Sequence, residues 1–299
     1  MTTPTARTEA PSIQLGSGDK VAVVAGSGRL PVEVAEGLAR QNHAPLVVLV
    51  RGETDQRAAF APFESMEIGL GEFASALSSL RRRGITHMVL AGGIGRRPAW
   101  REFRPSLSLL RHLPRALAAL RRGDDGLLTV LIRTIEREGI KVVGAHEIVP
   151  DLLAVEGPMS RERPRAADWP DIDAAYAAAR AIGALDIGQG TVAIGGRVIA
   201  VEGIEGTDGL LERVKALRSH GRLAGKSRGV LVKCAKPGQE LRADLPAIGP
   251  ATVDMAHAAG LAGIGVEAGR ALVLDVGDLV ERADALGLFV VGLPRERTP

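Results

Sequence analysis

The chain contains few cysteines and few aromatic residues, and each scarcity excludes a class of protein. Cys234 is the single cysteine, so the sequence allows neither an internal disulfide nor a cysteine-cluster metal site, and a reducing compartment is expected. Only 3% of the residues are aromatic, which argues against the stacking platforms that bind single-stranded nucleic acid. The net charge of +3 is too small to indicate nucleic acid as a partner.

The sequence also lacks long apolar runs and the short motifs of several enzyme classes. No uncharged segment is long enough to predict a transmembrane helix. Residues 1–19 have no hydrophobic block, so they predict a disordered tail and not a signal peptide. The six histidines show no zinc-ligand spacing, and the GxSxG motif of α/β-hydrolases does not occur.

Aliphatic residues and glycine are abundant instead, in a pattern typical of α/β proteins. The 299 residues are 45% hydrophobic, which is enough for two domains of ordinary size. Between residues 20 and 155, short apolar strands alternate with helical patterns and predict a Rossmann-like domain with a parallel sheet. The strands are expected near residues 21–24, 45–50, 87–90 and 141–143.

The second half of the chain predicts another α/β domain. Residues 156–170 are rich in proline, arginine and acid, so we interpret them as a linker before a domain at 171–299. Gly195-Gly196 predicts the two-residue turn of a hairpin. Thr207 is placed to cap the helix that follows it.

Two strands of the first domain are followed by glycine loops, whose candidate ligand contacts are Gly26, Gly28, Leu30, Gly92 and Gly93. The first loop occupies the place of a dinucleotide-binding fingerprint, but Pro31 replaces its third glycine. Glu53 could mimic the acid that binds a ribose in that motif. Backbone N–H groups of such loops bind phosphate or sugar, and a tight turn without a ligand is the alternative. The ligand crevice is expected at this carboxyl edge of the sheet.

A basic and apolar segment runs from Arg96 to Arg122. Its eight arginines are interleaved with large apolar residues, a composition that suits anionic lipid headgroups beside acyl chains. An ordinary core-facing helix with a solvated basic face is the alternative. We predict that this segment contributes to membrane contact.

A polar, turn-rich stretch from Gly229 to Thr252 contains most of the candidate chemistry. Cations can hold phosphate oxygens while a carboxylate binds a metal or activates water. The candidates are Lys233, Lys236, Gln239, Glu240, Arg242 and Asp244. A solvated surface loop is the alternative. Cys234 lies beside Lys233, but no paired histidine is near in sequence, so we interpret it as a small buried hydrophobe.

This stretch and several shorter motifs resemble the LpxI family, the UDP-2,3-diacylglucosamine pyrophosphatases of Gram-negative lipid A synthesis. The resemblance runs from about Lys20 to the C-terminus, with the motifs in family order. They are GDDGLL at 123–128, GAHEIV at 144–149, DIGQG at 186–190, AVEGIEGTDGLLERV at 200–214, KPGQELRADLPAIGPAT at 236–252 and AGLAGIGVEAG at 259–269.

The resemblance implies hydrolysis of the pyrophosphate bond of UDP-2,3-diacylglucosamine to UMP and 2,3-diacylglucosamine 1-phosphate (lipid X). It implies a divalent cation, Mg²⁺ first, and a site between the two domains. Asp244 and then Glu240 are the expected catalytic carboxylates, and Asp244 and Asp208 the expected metal ligands. Gln189, Thr207, Asp208 and Gln239 join Lys233, Lys236, Arg242 and the glycine-loop positions as expected substrate contacts.

The same resemblance implies a cytoplasmic enzyme that is peripherally associated with the inner membrane, with transient contact to its anionic surface and a possible homodimer. Two other functions stay open at this stage. One is an NAD(P)-dependent oxidoreductase, based on the strand, glycine loop and helix at the start of the chain. The other is a non-catalytic protein that binds the glycolipid.

Overall fold

The computed structural model describes residues 13–95, 124–223 and 225–295, which form two compact units. The N-terminal unit comprises the described residues of Pro11–Pro150 together with Glu240–Asp244. The C-terminal unit comprises the described residues of Asp151–Gln239 and Leu245–Pro299. The basic segment from Arg96 to Arg122, predicted to contact membranes, lies outside the described residues. Within the described residues, no helix is long and apolar enough to cross a membrane.

The N-terminal unit contains a five-stranded sheet in which every pair of neighbouring strands is parallel. Its strands are β1 (Val21–Ala25), β2 (Leu46–Val50), β3 (Glu64–Ile68), β4 (His87–Ala91) and β5 (Lys141–Val143), and its helices are α1 (Leu30–Arg40), α2 (Phe73–Arg82), α3 (Asp124–Arg137) and α4 (Ala145–Ile148). The strand order β3-β2-β1-β4-β5 reverses direction between β1 and β4. This is the Rossmann-like topology that the sequence predicted, and both glycine loops follow the two strands at its switch point.

The C-terminal unit contains a six-stranded mixed sheet in the order β6-β13-β11-β9-β7-β8. Its strands are β6 (Gly157–Pro158), β7 (Gly190–Ile194), β8 (Arg197–Val201), β9 (Val230–Lys233), β10 (Ala247–Ile248), β11 (Gly263–Glu267), β12 (Leu272–Val273) and β13 (Phe289–Leu293). Its helices are α5 (Trp169–Ala184), α6 (Gly206–Leu217), α7 (Pro250–Ala258) and α8 (Val276–Leu286). Strands β9, β11 and β13 are parallel, whereas β10 pairs with β12 apart from the main sheet. A second α/β domain is therefore confirmed.

Apolar residues cover both faces of the buried strands in the two sheets. In β9, Val230 and Val232 pack in one core cluster while Leu231 packs in another, as the alternation of side chains along a strand requires. The same alternation divides Val48 from Leu49 in β2. Strands buried on both faces need continuous apolar runs, which explains why the sequence showed them so clearly. Each such side chain contributes about 1.5–3 kcal/mol when it is fully buried.

One predicted turn takes the expected form, whereas the predicted linker does not. The hairpin of β7 and β8 turns at Gly195 and Gly196, whose φ angles of +64° and +76° suit the glycine-rich two-residue turn. Residues 156–170, interpreted as a linker, contribute β6 to the edge of the C-terminal sheet and bury Asp168 to 1% exposure. This segment is therefore built into the C-terminal unit.

Candidate functional site

The two glycine loops of the N-terminal unit pair with each other. The N–H of Gly26 donates to the carbonyl of Ala91 at 2.8 Å, and Ser27 and Gly93 exchange two backbone hydrogen bonds of 2.8 and 3.0 Å. A Cβ added to Gly26 would lie 2.3 Å from the carbonyl oxygen of Gly93, and one added to Gly92 would lie 2.4 Å from that of Ser27. The close approach of the two backbones therefore explains why both positions are glycine, without any ligand.

Carboxylates from the loop after β2 occupy the N–H groups beside these glycines. Gly28 has a φ of +88° and open space around it, and its N–H donates to both oxygens of Asp55 at 3.0 and 3.2 Å. Glu53 accepts a hydrogen bond from the N–H of Gly95 at 2.6 Å. A phosphate could accept a hydrogen bond from the Gly28 N–H only by displacing Asp55. Asp55 was not identified from the sequence as a partner of this loop. Leu30 begins α1, with Pro31 in its first turn as predicted.

The segment Glu240–Asp244 belongs to the N-terminal unit, and Arg242 ties it there. Its Nε and Nη2 each donate to Glu240 at 2.8 Å, while Nη1 donates to Glu136 of α3 at 2.6 Å. The hydrogen bonds from Arg242 hold the pKa of Glu240 below its usual range, and the same pair raises the pKa of Arg242. A carboxylate held in this way is a weaker base. The geometry therefore suits a structural role for Glu240, in which its ion pair with Arg242 holds the segment in place.

Asp244 closes the turn of this segment. Its N–H donates to the carbonyl of Glu240 at 3.1 Å, and Asp244 itself is half-buried. Ala243 packs against the apolar core beside it. The position of the Asp244 backbone is therefore fixed both by a hydrogen-bonded turn and by packing in the N-terminal unit.

A buried polar network lies at the carboxyl end of β9 in the C-terminal unit. Lys233 is 5% exposed, and its Nζ donates to the hydroxyl of Thr207 at 2.8 Å and to the carbonyl of Ala247 at 2.9 Å. The Thr207 hydroxyl donates to Glu202 at 2.8 Å. The prediction that Thr207 caps α6 is wrong, because the helix begins at Gly206 and has no side-chain cap.

The DIGQG and KPGQ motifs join this network. The carbonyl of Gln189 accepts from the N–H of Cys234 at 2.9 Å, and the Gln189 side chain lies 3.5 Å from that of Gln239. Gln239 is 6% exposed and accepts a hydrogen bond from the N–H of Lys236 at 2.8 Å. The Lys236 ammonium pairs with Asp186 at 2.7 Å. The structure thus brings together candidate residues that are up to 50 positions apart, from Gln189 to Gln239.

Comparisons with known proteins agree with the resemblance of the motifs. Models of the LpxI N-terminal and C-terminal domains match residues 20–152 and 155–291. The UDP-2,3-diacylglucosamine pyrophosphatase LpxI of Caulobacter vibrioides is 41% identical over 280 residues, which cover 93% of this chain and 99% of that protein. The chain belongs to the LpxI family.

A solved structure also matches part of this LpxI-family chain. It is the crystal structure of UDP-glucose 4-epimerase from Brucella ovis in complex with NAD, 18% identical, covering 39% of this chain and 33% of that one. Its TM-score is 0.24, so this likeness carries no argument. An NAD-binding function gains no support from the site either, since Asp55 occupies the glycine-loop N–H and Pro31 replaces the third glycine.

The metal-binding capacity of this LpxI-family chain can be judged from its carboxylates. Across residues 13–95, 124–223 and 225–295, no group of three or more His, Cys, Asp or Glu side chains could hold a metal ion. Asp208 lies in the first turn of α6 in the C-terminal unit, whereas Asp244 belongs to the N-terminal unit. Magnesium commonly takes one or two protein carboxylates and completes its shell with water and substrate phosphates. Each carboxylate alone has the donor chemistry of such a site, and the described residues contain no preformed cage.

Glu267 is a fully buried residue at the end of β11 that sequence reasoning missed. Its carboxylate accepts from the N–H of Ala235 at 3.0 Å and from Arg180 at 3.4 Å. Cys234 beside it is fully buried, and burial, followed by the charge of Glu267, raises the pKa of its thiol. A thiol in this environment is a poor nucleophile, as the sequence interpretation held.

Proposed function

We propose that this LpxI-family chain hydrolyses the pyrophosphate bond of UDP-2,3-diacylglucosamine and releases UMP and 2,3-diacylglucosamine 1-phosphate, lipid X, in lipid A synthesis. The observation that carries the proposal is the 41% identity to the Caulobacter pyrophosphatase over almost the whole of both chains. The polar network around Lys233 supports it, because a buried, well-fixed ammonium suits the binding of an anionic substrate.

The proposed roles of the residues follow from the charge of the substrate. A diphosphate repels an attacking water until its oxygens are neutralised, so Lys233 and Lys236 are proposed to hold phosphate oxygens. Asp244 is proposed as the first catalytic carboxylate, with Glu240 as the second candidate. The ion pair of Glu240 with Arg242 favours the first choice, because it engages both oxygens of Glu240.

A divalent cation, magnesium first, is proposed to bind through Asp244 or Asp208 and to supply further neutralisation of the diphosphate when bound. The requirement is tested by turnover in EDTA and by titration with Mg²⁺, Mn²⁺ and Ca²⁺. We also propose that residues of both units are needed for turnover. In this proposal the glycine loops around Gly26, Gly28, Leu30, Gly92 and Gly93 contribute backbone contacts to the glycolipid.

The experiment that tests the function is incubation of the purified protein with UDP-2,3-diacylglucosamine and Mg²⁺. Mass spectrometry should show equal amounts of UMP and lipid X. In water labelled with heavy oxygen, the label enters UMP if the α-phosphorus is attacked and lipid X if the β-phosphorus is attacked. Binding of the glycolipid without release of UMP, with every divalent ion tested, would establish a non-catalytic binding protein instead.

We further propose that the protein acts at the cytoplasmic face of the inner membrane through transient contact with an anionic surface, and that it forms a homodimer. The acyl chains of the proposed substrate motivate the first statement, together with the eight arginines between Arg96 and Arg122. Replacing several of these arginines by glutamine should reduce sedimentation with anionic vesicles, more strongly at low salt than at high salt. Unchanged sedimentation would contradict membrane contact through this segment, and analytical ultracentrifugation tests the dimer.

A further inference from the structure

Glu202 is a buried carboxylate directly after β8 to which neither motif nor comparison gives a role. It is 6% exposed, and both of its oxygens have hydrogen-bond partners. Oε1 accepts from the hydroxyl of Thr207 at 2.8 Å, and Oε2 accepts from the N–H of Gln189 at 3.1 Å. Its own N–H donates to the carbonyl of Gly190 at 2.8 Å. Glu202 therefore connects two motifs that lie apart in the sequence.

The direction of these hydrogen bonds determines how the Thr207 hydroxyl points. A carboxylate only accepts, so the single hydroxyl proton of Thr207 must be donated to Glu202. The lone pairs of the hydroxyl then face the Nζ of Lys233, which donates to it at 2.8 Å. Ala247 supplies a second acceptor for the same ammonium at 2.9 Å. Glu202 thereby fixes the acceptor that holds Lys233.

The negative charge of Glu202 also compensates the positive charge of Lys233. A buried ammonium is costly unless a nearby anion compensates it and its protons are hydrogen-bonded. Lys233 is 5% exposed and Glu202 is 6% exposed, and a single hydroxyl connects them. Without the carboxylate, Lys233 would lose the negative charge behind Thr207 and would be free to take other rotamers.

Two glycines of the DIGQG motif leave room for Glu202. A Cβ on Gly188 would lie 2.3 Å from the backbone oxygen of Glu202, and a Cβ on Gly190 would lie 2.9 Å from its Oε2. The chain around Gln189 is therefore shaped to accept this carboxylate and its backbone. A side chain that was buried only by chance would not require glycine on both sides of its hydrogen-bond donor.

We infer that Glu202 is a positioning residue which, through the hydroxyl of Thr207, orients the ammonium of Lys233 toward the diphosphate of the substrate. This inference rests on the proposed function. Glu202 itself does not touch the substrate in this scheme. It acts as a buried partner that fixes the geometry of a residue in contact with phosphate.

The test compares Glu202→Gln, Thr207→Val and the double variant with the parent in the UMP-release assay. Glutamine keeps the size of Glu202 but places an NH₂ group against one of its two donors, so kcat/KM should fall about 10- to 100-fold. Thr207→Val removes the hydroxyl and should lose a similar factor, of which Thr207→Ser should recover most. The double variant should lose no more than Thr207→Val alone, because the two residues act in series.

A matched control separates positioning from stability. Asp168→Asn alters another buried carboxylate of the same unit, which holds Arg228 through two hydrogen bonds of 2.8 and 2.7 Å. It should lower the melting temperature without changing kcat or KM at temperatures well below the melt. If Glu202→Gln retains the kcat/KM of the parent, or if the losses of the two single variants multiply in the double, the inference is overturned.

A second readout does not depend on turnover. The rate at which acetic anhydride modifies Lys233, followed by peptide mass spectrometry on the folded protein, should rise at least tenfold in Glu202→Gln and in Thr207→Val. An unchanged rate would overturn the positioning role. If the parent releases no UMP, the proposed function fails while this measurement still decides whether Glu202 holds Lys233. If Glu202→Gln does not fold, Thr207→Val carries both readouts.

Discussion

Replacing Gly26 by alanine is expected to loosen the sheet of the N-terminal unit even when no ligand is present. The added Cβ would lie 2.3 Å from the carbonyl oxygen of Gly93 and 2.9 Å from the carbonyl carbon of Gly92. Ordinary contacts of a Cβ begin near 3.4 Å, so the two loops would have to separate by about 1 Å. Both obstacles are backbone atoms, which cannot turn aside as the end of a flexible side chain can.

The magnitude follows from what this separation breaks. Overpacking of a well-packed region costs about 1–3 kcal/mol. The loops also share the Gly26–Ala91 hydrogen bond of 2.8 Å and the two bonds between Ser27 and Gly93, each worth about 0.5–1.5 kcal/mol net. Partial loss of these bonds brings the expected cost to about 2–4 kcal/mol, a large part of the 5–15 kcal/mol that stabilises a typical protein.

The assay is hydrogen exchange of the β1 and β4 amides by mass spectrometry, with Gly28→Ala as the matched control. Gly28 has open space around it but a φ of +88°, so alanine there costs only about 1–2 kcal/mol of backbone strain. Exchange in Gly26→Ala should exceed that of the parent by about 30- to 1,000-fold, from 2–4 kcal/mol at 1.4 kcal/mol per tenfold. If Gly26→Ala is no more destabilised than Gly28→Ala, backbone packing does not explain Gly26.

Three further predictions concern catalysis, stability and pH. Asp244→Ala should reduce UMP release by about 10²–10⁴-fold with an unchanged thermal melt. Arg228→Ala should lower the free energy of unfolding in urea by about 1–3 kcal/mol, because it leaves the carboxylate of Asp168, 1% exposed, without the two hydrogen bonds that Arg228 donates to it. Arg282→Ala, in an exposed ion pair, should cost less than about 1 kcal/mol. Burial lowers the pKa of His146, so as the pH falls below about 6.5 the unfolded state binds a proton before the folded state does. Protonation of His146 therefore lowers the stability of the parent, and His146→Gln should lose less stability than the parent between about pH 7 and 5.

These three predictions fail on different results. Turnover of Asp244→Ala near the parental rate would remove Asp244 from the catalytic role. Equal losses of unfolding free energy in Arg228→Ala and Arg282→Ala would show that burial of the partner carboxylate does not determine the stability that each ion pair contributes. Parallel curves of unfolding free energy against pH for parent and His146→Gln would show that His146 does not contribute to the acid sensitivity.

The fold could be predicted where burial leaves a local pattern. Strands β1 and β2 are fully buried and read as uninterrupted apolar runs, so their existence followed from the sequence. Strand β3, with the sequence ESMEI, was missed because it is an edge strand with mostly exposed side chains. Helix α8 was missed as well. It follows Asp275 in the left-handed conformation and has no side-chain cap, so it lacks the usual signal of a helix start.

The contacts of the candidate residues could not be predicted from the sequence. Thr207 precedes a helical pattern, which made a cap the natural inference from local chemistry. In the fold its hydroxyl donates a hydrogen bond to Glu202 and accepts one from Lys233. Neither partner can be identified from the sequence around Thr207. Gly26 shows the same limit, because a glycine that admits a ligand and one that admits another backbone are identical in sequence.

The motif KPGQELRAD shows why sequence proximity is a weak guide to shared function here. The two compact units divide between Gln239 and Glu240, so the halves of this motif belong to different units. In the first half, Lys236 is held by Asp186 of the C-terminal unit. In the second half, Arg242 is held by Glu136 of the N-terminal unit. Each half is thus fixed by partners that lie far away in sequence. The effect of a substitution in either half should therefore be judged against the stability of its own unit before it is assigned to the chemistry.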